Sequence, residues 1–297
     1  MSLFSSKIQN VIGPGIIFAG AAIGGSHLMS STTAGARFGF SLIVLILITN
    51  FLKYPFLLVG TRFTASTGMT LLEGFKKRNS LYLPIFLIIS LVTGTFTIAA
   101  VSFVSGVLLT NIPLFSNFPP MDLSIIVLVI CGFILIFGKY KALDNLSKIL
   151  VSLLTILTFF AVISLLINGS LNNDLTATFF NPETSPWRLS NLSFLIPLMG
   201  WMPCPVELCV WPSLWMFSKN KESKYRPTVQ EAEFDFNLGY LITIITAIFF
   251  VTLGAITMYG TGDGMLSGSG VSFAQNLIKL YTESIGEWSK WVIIPAS

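Results

Sequence analysis

Ala21-Ala22-Ile23-Gly24-Gly25-Ser26-His27 sits in the middle of a long apolar stretch that runs from Gly13 to Phe40. Its reading decides the fold. Residues Val11 to Ile23 are apolar enough to enter a bilayer as a helix, and the run then meets two adjacent glycines, a serine and the one histidine of the chain. Glycine costs roughly 1 kcal/mol in a helix interior, so a Gly-Gly pair invites an interruption. At lipid depth, broken backbone survives only where protein or a water-filled cavity satisfies its polar groups. Helices broken in this way are where secondary transporters hold their cargo, near the bilayer midplane. The competing reading is close packing, because glycines in membrane helices also let a neighbour approach. A second interruption, Met202-Pro203-Cys204-Pro205 in a later apolar run, tips the balance toward transport.

Composition sets the class. Of 297 residues, 53% are hydrophobic and 10% charged, against roughly 25% charged in soluble domains. The apolar residues come in long runs, which makes this an all-α polytopic membrane protein rather than a soluble one with a large core. The net charge of +4 is modest, and no soluble basic face exists to meet nucleic acid, so the partners expected are the lipid bilayer and a transported ion or small solute. Cys131, Cys204 and Cys209 all lie inside apolar runs, which argues against a disulfide framework. Met1 to Asn10 is short and polar, without a small-residue cleavage site, and does not read as a cleavable signal peptide. No Gly-x-x-x-x-Gly-Lys stretch is present, so the energy for transport is expected from a gradient, with no cofactor and no enzymatic activity.

Taken in order, the apolar runs give about eight spans at roughly 20 residues per crossing. They are Val11 to Thr33, Phe40 to Val59, Leu81 to Leu109, Leu123 to Phe137, Ile149 to Ile167, Leu192 to Phe217, Phe236 to Tyr259, and the start of one more at Trp288. Polar connections separate them: Arg62 to Ser80, the Pro-rich Asn111 to Pro120, the basic Lys139 to Lys148, Asn168 to Ser190, the charged Ser218 to Glu233, and the Gly-rich Thr261 to Gly270. Ser272 to Glu283 reads as an amphipathic segment. The closing run Trp291 to Ser297 is too short to cross roughly 30 Å of hydrocarbon. It is expected to be interfacial, or the chain to be a fragment of a longer protein.

Lysine and arginine placement predicts the orientation. With a cytoplasmic N-terminus, Lys7, Arg62, Lys76, Lys77, Arg78, Lys139, Lys141, Lys148, Lys219, Lys221, Lys224 and Arg226 fall inside. The outer side collects only Arg37, Arg188, Lys279 and Lys290. The expectation is a multi-pass protein of the cell membrane.

Gly13-Pro14-Gly15, followed by Ala34-Gly35-Ala36-Arg37-Phe38-Gly39-Phe40, resembles the first span of the Nramp (natural resistance-associated macrophage protein) transporters. Tyr140-Lys141-Ala142-Leu143-Asp144 and the Pro-interrupted sixth run echo the same family. The resemblance covers essentially the whole chain. It implies proton-coupled transport of a divalent metal and a LeuT-like fold of two inverted five-span repeats with the first and sixth helices broken. Residues 1–297 would then be one transmembrane transporter domain, 11–168 its first repeat and 191–297 an incomplete second repeat, with the last spans missing. On that expectation the 297-residue chain does not transport by itself.

The departures weigh as much. Where the family's first span reads Asp-Pro-Gly-Asn, this chain has Gly24, Gly25, Ser26 and His27. The family's sixth-span histidine is replaced, with Cys204 falling in the same short motif in either register. Thr93 to Gly106 holds no ionisable side chain, so the family's third-span proton carriers are absent too. What remains ionisable at the two breaks is His27 and Glu207, with Cys204, Cys209, Met29 and Met202 near them. An ionisable group at membrane depth is costly and marks a functional hypothesis. The plainer alternatives are a histidine hydrogen-bonded between helices, a cysteine acting as a small hydrophobe, and a Lys53 that snorkels to the interface.

Two function classes follow. In the first, His27, Cys204 and Glu207 form a replaced metal-ligand set, suited to borderline or soft divalent ions, and His27, which titrates near neutral pH, carries the coupling proton. In the second, the backbone N–H groups of Gly24, Gly25 and Ser26 at a half-helix end receive the carboxylate of a small organic acid or amino acid, while Glu207 meets its cationic end or a proton. In both, substrate binding falls to Gly24, Gly25, Ser26, His27, Cys204 and Glu207. A non-transporting receptor or scaffold would leave both breaks without a task. The orientation is checked by single-cysteine labelling: Asn220→Cys is expected to react only from the cytoplasm and Asn173→Cys only from outside, and the opposite pattern would invert the assignment.

Overall fold

The computed structural model describes residues 11–167, 185–259 and 270–296. Lys7, Asn173, most of the loop from Asn168 and most of the Gly-rich loop from Thr261 lie outside them. All regular structure among the described residues is helical. A bilayer demands this of an unclosed chain, because a helix satisfies its backbone N–H and C=O groups within one segment.

The first span comprises α1 (Pro14–Ala22), a π-helical segment (Ile23–Ser31) and α2 (Thr32–Phe38). After it come α3 (Ile43–Thr67), the short α4 (Leu71–Arg78), α5 (Tyr82–Leu109) and α6 (Pro120–Ile167). The broken sixth span is α7 (Leu192–Trp201) and α8 (Trp211–Ser223), and α9 (Val229–Met258), α10 (Gly270–Ile285) and α11 (Lys290–Ala296) complete the chain. α4 is fixed by a capping box. Thr70 accepts the Glu73 N–H, and Glu73 accepts the Thr70 N–H at 2.7 Å. Those Thr70 hydrogen bonds hold the Glu73 carboxyl below the usual carboxylate range.

A straight helix of the 48 residues of α6 would run about 70 Å, more than twice the hydrocarbon thickness. It does not stay straight. At Lys139 the backbone leaves the helix (φ 49°, ψ −150°), dividing α6 into arms 120–138 and 140–167 of spanning length. The basic connection expected over Lys139 to Lys148 is therefore a single turning residue, and Tyr140 to Lys148 is already helix. The charges are what make this workable, because Lys148 pairs with Asp144 one turn earlier at 2.9 Å. By length and composition, five segments among the described residues are apolar enough to cross a membrane: α3, α5, α6, the broken sixth span (Leu189–Cys209) and α9. The amphipathic α10 and the seven-residue α11 follow, the latter where the eighth span was expected to start.

α9 is the centre of the packing. A Cβ on Gly239 would lie 1.9 Å from the carbonyl oxygen of Gly15, and one on Gly15 would lie 2.0 Å from that of Asp235. At the other end, a Cβ on Gly254 would lie 2.1 Å from the Thr32 oxygen, and one on Gly35 would lie 2.1 Å from the Val251 oxygen. So α9 crosses α1 on one side of the break and α2 on the other, backbone against backbone, at contacts that only glycine allows. Around this crossing, Ile16, Ala19 and Ile23 pack with Leu154, Leu157 and Ala161 of α6, Phe250 and Leu253 of α9, and Leu277, Leu280 and Tyr281 of α10. α5 and the first α6 arm turn large apolar side chains such as Phe96, Ile136 and Phe137 outward, as a lipid-facing surface requires.

Gly239→Val and Gly254→Val each force these helices apart. Both are expected to abolish a monodisperse peak in detergent size-exclusion chromatography. Gly132→Ala, where an added Cβ meets nothing within 4 Å, should leave the thermal midpoint unchanged or slightly raised.

Candidate functional site

The first break is centred on Gly24, whose backbone (φ −53°, ψ −128°) leaves the helix. A side chain placed there would meet nothing within 4 Å, so this point of the break opens onto unfilled space. The backbone of Gly25 and Ser26 continues through the π-helical segment. His27 is fully buried. Its Nδ1 lies 2.8 Å from the carbonyl oxygen of Ala22, at the end of α1, and its Nε2 lies 3.0 Å from that of Thr243 in α9. A neutral imidazole has one N–H and donates to one of these acceptors, whereas the imidazolium donates to both. The protonation of His27 therefore changes how the break is held to α9.

The second break begins where α7 ends, with the Met202 N–H donated to Leu198 at 2.9 Å. Pro203 and Pro205 have no N–H to continue a ladder, and the chain runs through Cys204 into a short 3-10 turn (Val206–Cys209) before α8. α3 braces this region. Gly60 lies so close that an added Cβ would stand 2.1 Å from the Cys209 carbonyl oxygen. Thr64 and Ser213 share a hydroxyl hydrogen bond of 2.7 Å, and Ser213 accepts the Leu71 N–H at 2.7 Å. Lys53 donates from Nζ to the carbonyls of Gly200, at 2.6 Å, and Cys204, at 3.3 Å. The two breaks touch where the Ser31 hydroxyl meets the Met202 sulfur at 3.7 Å.

The structure distributes the expected site residues unevenly. Gly24 faces open space, and His27 and Glu207 are buried on their respective breaks. The set His27, Cys204 and Glu207 does not assemble. Among the described residues, no three His, Cys, Asp or Glu side chains come together as a group that could hold a metal. The physical reason is that each has a different environment. The His27 ring is turned to two carbonyls. The Cys204 thiol is fully buried in an apolar cluster with Phe18, Leu57, Leu58 and Tyr240. The Glu207 carboxylate lies within electrostatic reach of Lys53. Nor does Lys53 snorkel, because its ammonium is spent on the sixth break.

Two buried carboxylates were not among the expected site residues. Asp235 of α9 accepts the Gly13 N–H at 3.0 Å and the Gly15 N–H at 2.7 Å, capping α1 with a full negative charge. Pro14 between them has no N–H to offer, which gives Gly13-Pro14-Gly15 its logic. Asp144 pairs with Lys148 and with Lys219 at 3.0 Å, tying the second α6 arm to α8. A carboxylate immediately before the apolar run that starts at Phe236 was the available signal for Asp235. Its partners, backbone amides over two hundred positions away, leave none.

Residues 15–294 match the family described as natural resistance-associated macrophage protein-like, Nramp. An uncharacterized protein of Pasteurella multocida, PM0681, is 38% identical over 292 residues, which cover 98% of this chain and 66% of that protein. Among solved structures, a mutant form of the Eremococcus coleocola manganese transporter superposes with a TM-score of 0.64 at 16% identity, over 95% of this chain and 63% of that one. The same transporter in complex with an aromatic bis-isothiourea substituted compound gives 0.59 at 14% identity, over 98% and 65%. The chain thus spans about two thirds of the length of the relatives it matches.

Asp235→Ala removes two charge-assisted bonds from the start of α1. It is expected to cost about 2–3 kcal/mol, read as a lowered midpoint of thermal unfolding. Glu283→Gln, which touches only an exposed ion pair with Lys279, should stay within about 0.5 kcal/mol of the parent.

Proposed function

We propose, from the premise that this chain belongs to the Nramp family, that the full-length protein is a secondary active transporter and not an enzyme, and that it moves a divalent metal cation across the cell membrane. One observation carries this reading. The interruptions at Gly24 and at residues 202–205 lie against one another, joined by Ser31 and Met202, in a protein otherwise built of long apolar helices. Interrupted helices present unpaired carbonyls and N–H groups together, which is what a dehydrated ion needs at the bilayer midplane. The manganese transporter of similar fold supports the choice of cargo.

In this reading, residues 11–168 and 191–297 are the two inverted repeats, with the N-terminus in the cytoplasm as the lysine and arginine distribution requires. Met202 and Cys204 offer soft donors and Glu207 a carboxylate from the sixth break. His27 carries the coupling proton. As imidazolium it holds both the Ala22 and Thr243 carbonyls, and the ring that gives up that proton presents a lone pair, the form in which imidazole ligates a metal. Proton release and metal ligation would then compete at one ring nitrogen.

A specific observation favours a second reading. Gly24 faces unfilled space, and no three His, Cys, Asp or Glu side chains among the described residues form a group that could hold a metal. A small organic acid or amino acid would place its carboxylate on the N–H groups of Gly24, Gly25 and Ser26, where the half-helix end favours negative charge.

Uptake by the full-length protein in proteoliposomes decides between them. Saturable Mn²⁺ uptake is expected, reduced at least tenfold by His27→Ala and by Glu207→Gln. Because both side chains act on the same ion in this reading, the double variant should lose much less than the sum of the two single losses. Uptake of an amino acid from a panel, with no response to Mn²⁺, would replace the first reading by the second.

A further inference from the structure

Lys53 is the cation that the breaks do not account for. It is the eleventh of the 25 residues of α3, which places it about 15 Å along the helix, near the middle of the hydrocarbon. A charge at that depth needs compensation from the protein. Lys53 finds it at the sixth break and nowhere else on its own helix. Its Nζ is 2.6 Å from the Gly200 oxygen and 3.3 Å from the Cys204 oxygen, one carbonyl on either side of Met202-Pro203. These oxygens belong to backbone that has lost its helical donors, since α7 ends at Trp201 and the Leu208 N–H, which a continuous helix would aim at the Cys204 oxygen, goes to Pro205 instead. Glu207, on the turn that follows, is the carboxylate in electrostatic reach of the same ammonium.

Two backbone carbonyls from an unwound segment, one at a half-helix C-terminal end, and a carboxylate nearby are the donor set of a monovalent-cation site in a secondary transporter. Here a protein-borne cation sits in it. The lysine ammonium is a compact point charge with three donors on a flexible stem, close in character to an alkali ion. We infer that Lys53 is a tethered cation that fills the monovalent-cation position of the sixth-span break, so that this break is charge-balanced without a bound Na⁺ or K⁺. The inference concerns the break itself and holds for either cargo. A metal or solute arriving there meets an ammonium already held by the Gly200 and Cys204 carbonyls.

The test is a stability measurement, so its outcome is separate from whether the protein moves metal. Purified full-length protein in detergent is heated in choline chloride, and then with choline replaced at constant ionic strength by Na⁺, K⁺ or methylammonium. The parent is expected to unfold at the same midpoint in all four salts. Lys53→Ala, which vacates the site, is expected to unfold about 5 °C or more lower in choline, with at least half of the loss recovered in methylammonium or Na⁺. Lys53→Met keeps the stem and should show the same deficit in choline. A Lys53→Met midpoint equal to the parent's in choline would overturn the inference. So would a Lys53→Ala deficit that none of the three small cations reduces, or a parent protein that Na⁺ or K⁺ stabilises as much as it does Lys53→Ala. Should Lys53→Ala yield no folded protein in any salt, Lys53→Met alone decides by its midpoint in choline.

Discussion

The close crossing of α9 over the first span is the constraint on which the rest depends. Gly15 against Gly239 and Gly35 against Gly254 bring backbones into contact on both sides of the Gly24 break. Between these two points the first span departs from α-helical geometry, and the span keeps its course there because both flanking halves are pinned to one continuous helix. Membrane helices gain little from burying apolar surface against each other, since lipid is equally apolar, so close van der Waals contact and hydrogen bonding must supply the attraction. Glycine pairs make the contact. Asp235 and Thr243, both on α9, make the hydrogen bonds, one to the amides at the start of α1 and the other to His27.

The two breaks share apolar packing on α9 but differ in their polar supports. The first is held by α9 and the sixth by α3, through Gly60 against the Cys209 carbonyl, Thr64 with Ser213, and Lys53 with Gly200 and Cys204. The breaks touch through the 3.7 Å contact of Ser31 with Met202 and through apolar packing of Phe18 and Ala22 against Cys204 and Leu208 and of Ala34 and Phe38 against Leu198 and Met202.

Four of the ionisable groups discussed above are met by backbone or side-chain partners, as the cost of an unpaired charge at membrane depth requires. Asp144 has two lysines, Asp235 two amides, Lys53 two carbonyls and His27 two more. Backbone groups dominate this list because broken and terminal helix segments are where unpaired amides and carbonyls become available. In this protein, irregular backbone and buried charge occur together for one reason.

Much was legible in the sequence. Long apolar runs are local, and their length against the bilayer thickness makes the chain a multi-pass membrane protein. The breaks were legible because Gly24-Gly25 and Pro203-x-Pro205 act through backbone propensity and a missing N–H, properties of the residues themselves. The Gly13-Pro14-Gly15 and Ala34 to Phe40 stretches carried the family resemblance. Partner choice was decided elsewhere. His27 and Thr243 are 216 residues apart, Lys53 and Gly200 147, and the acceptor in both pairs is a backbone carbonyl that has the same chemistry at every position. Sequence reading therefore left the partners of His27 unassigned and let Lys53 run to the membrane surface, and it read a basic loop where only Lys139 turns. Where helices run, and where they fail, follows from nearest neighbours along the chain. Which orphaned carbonyl a buried charge finds depends on how the finished helices cross, and only the tertiary structure supplies that.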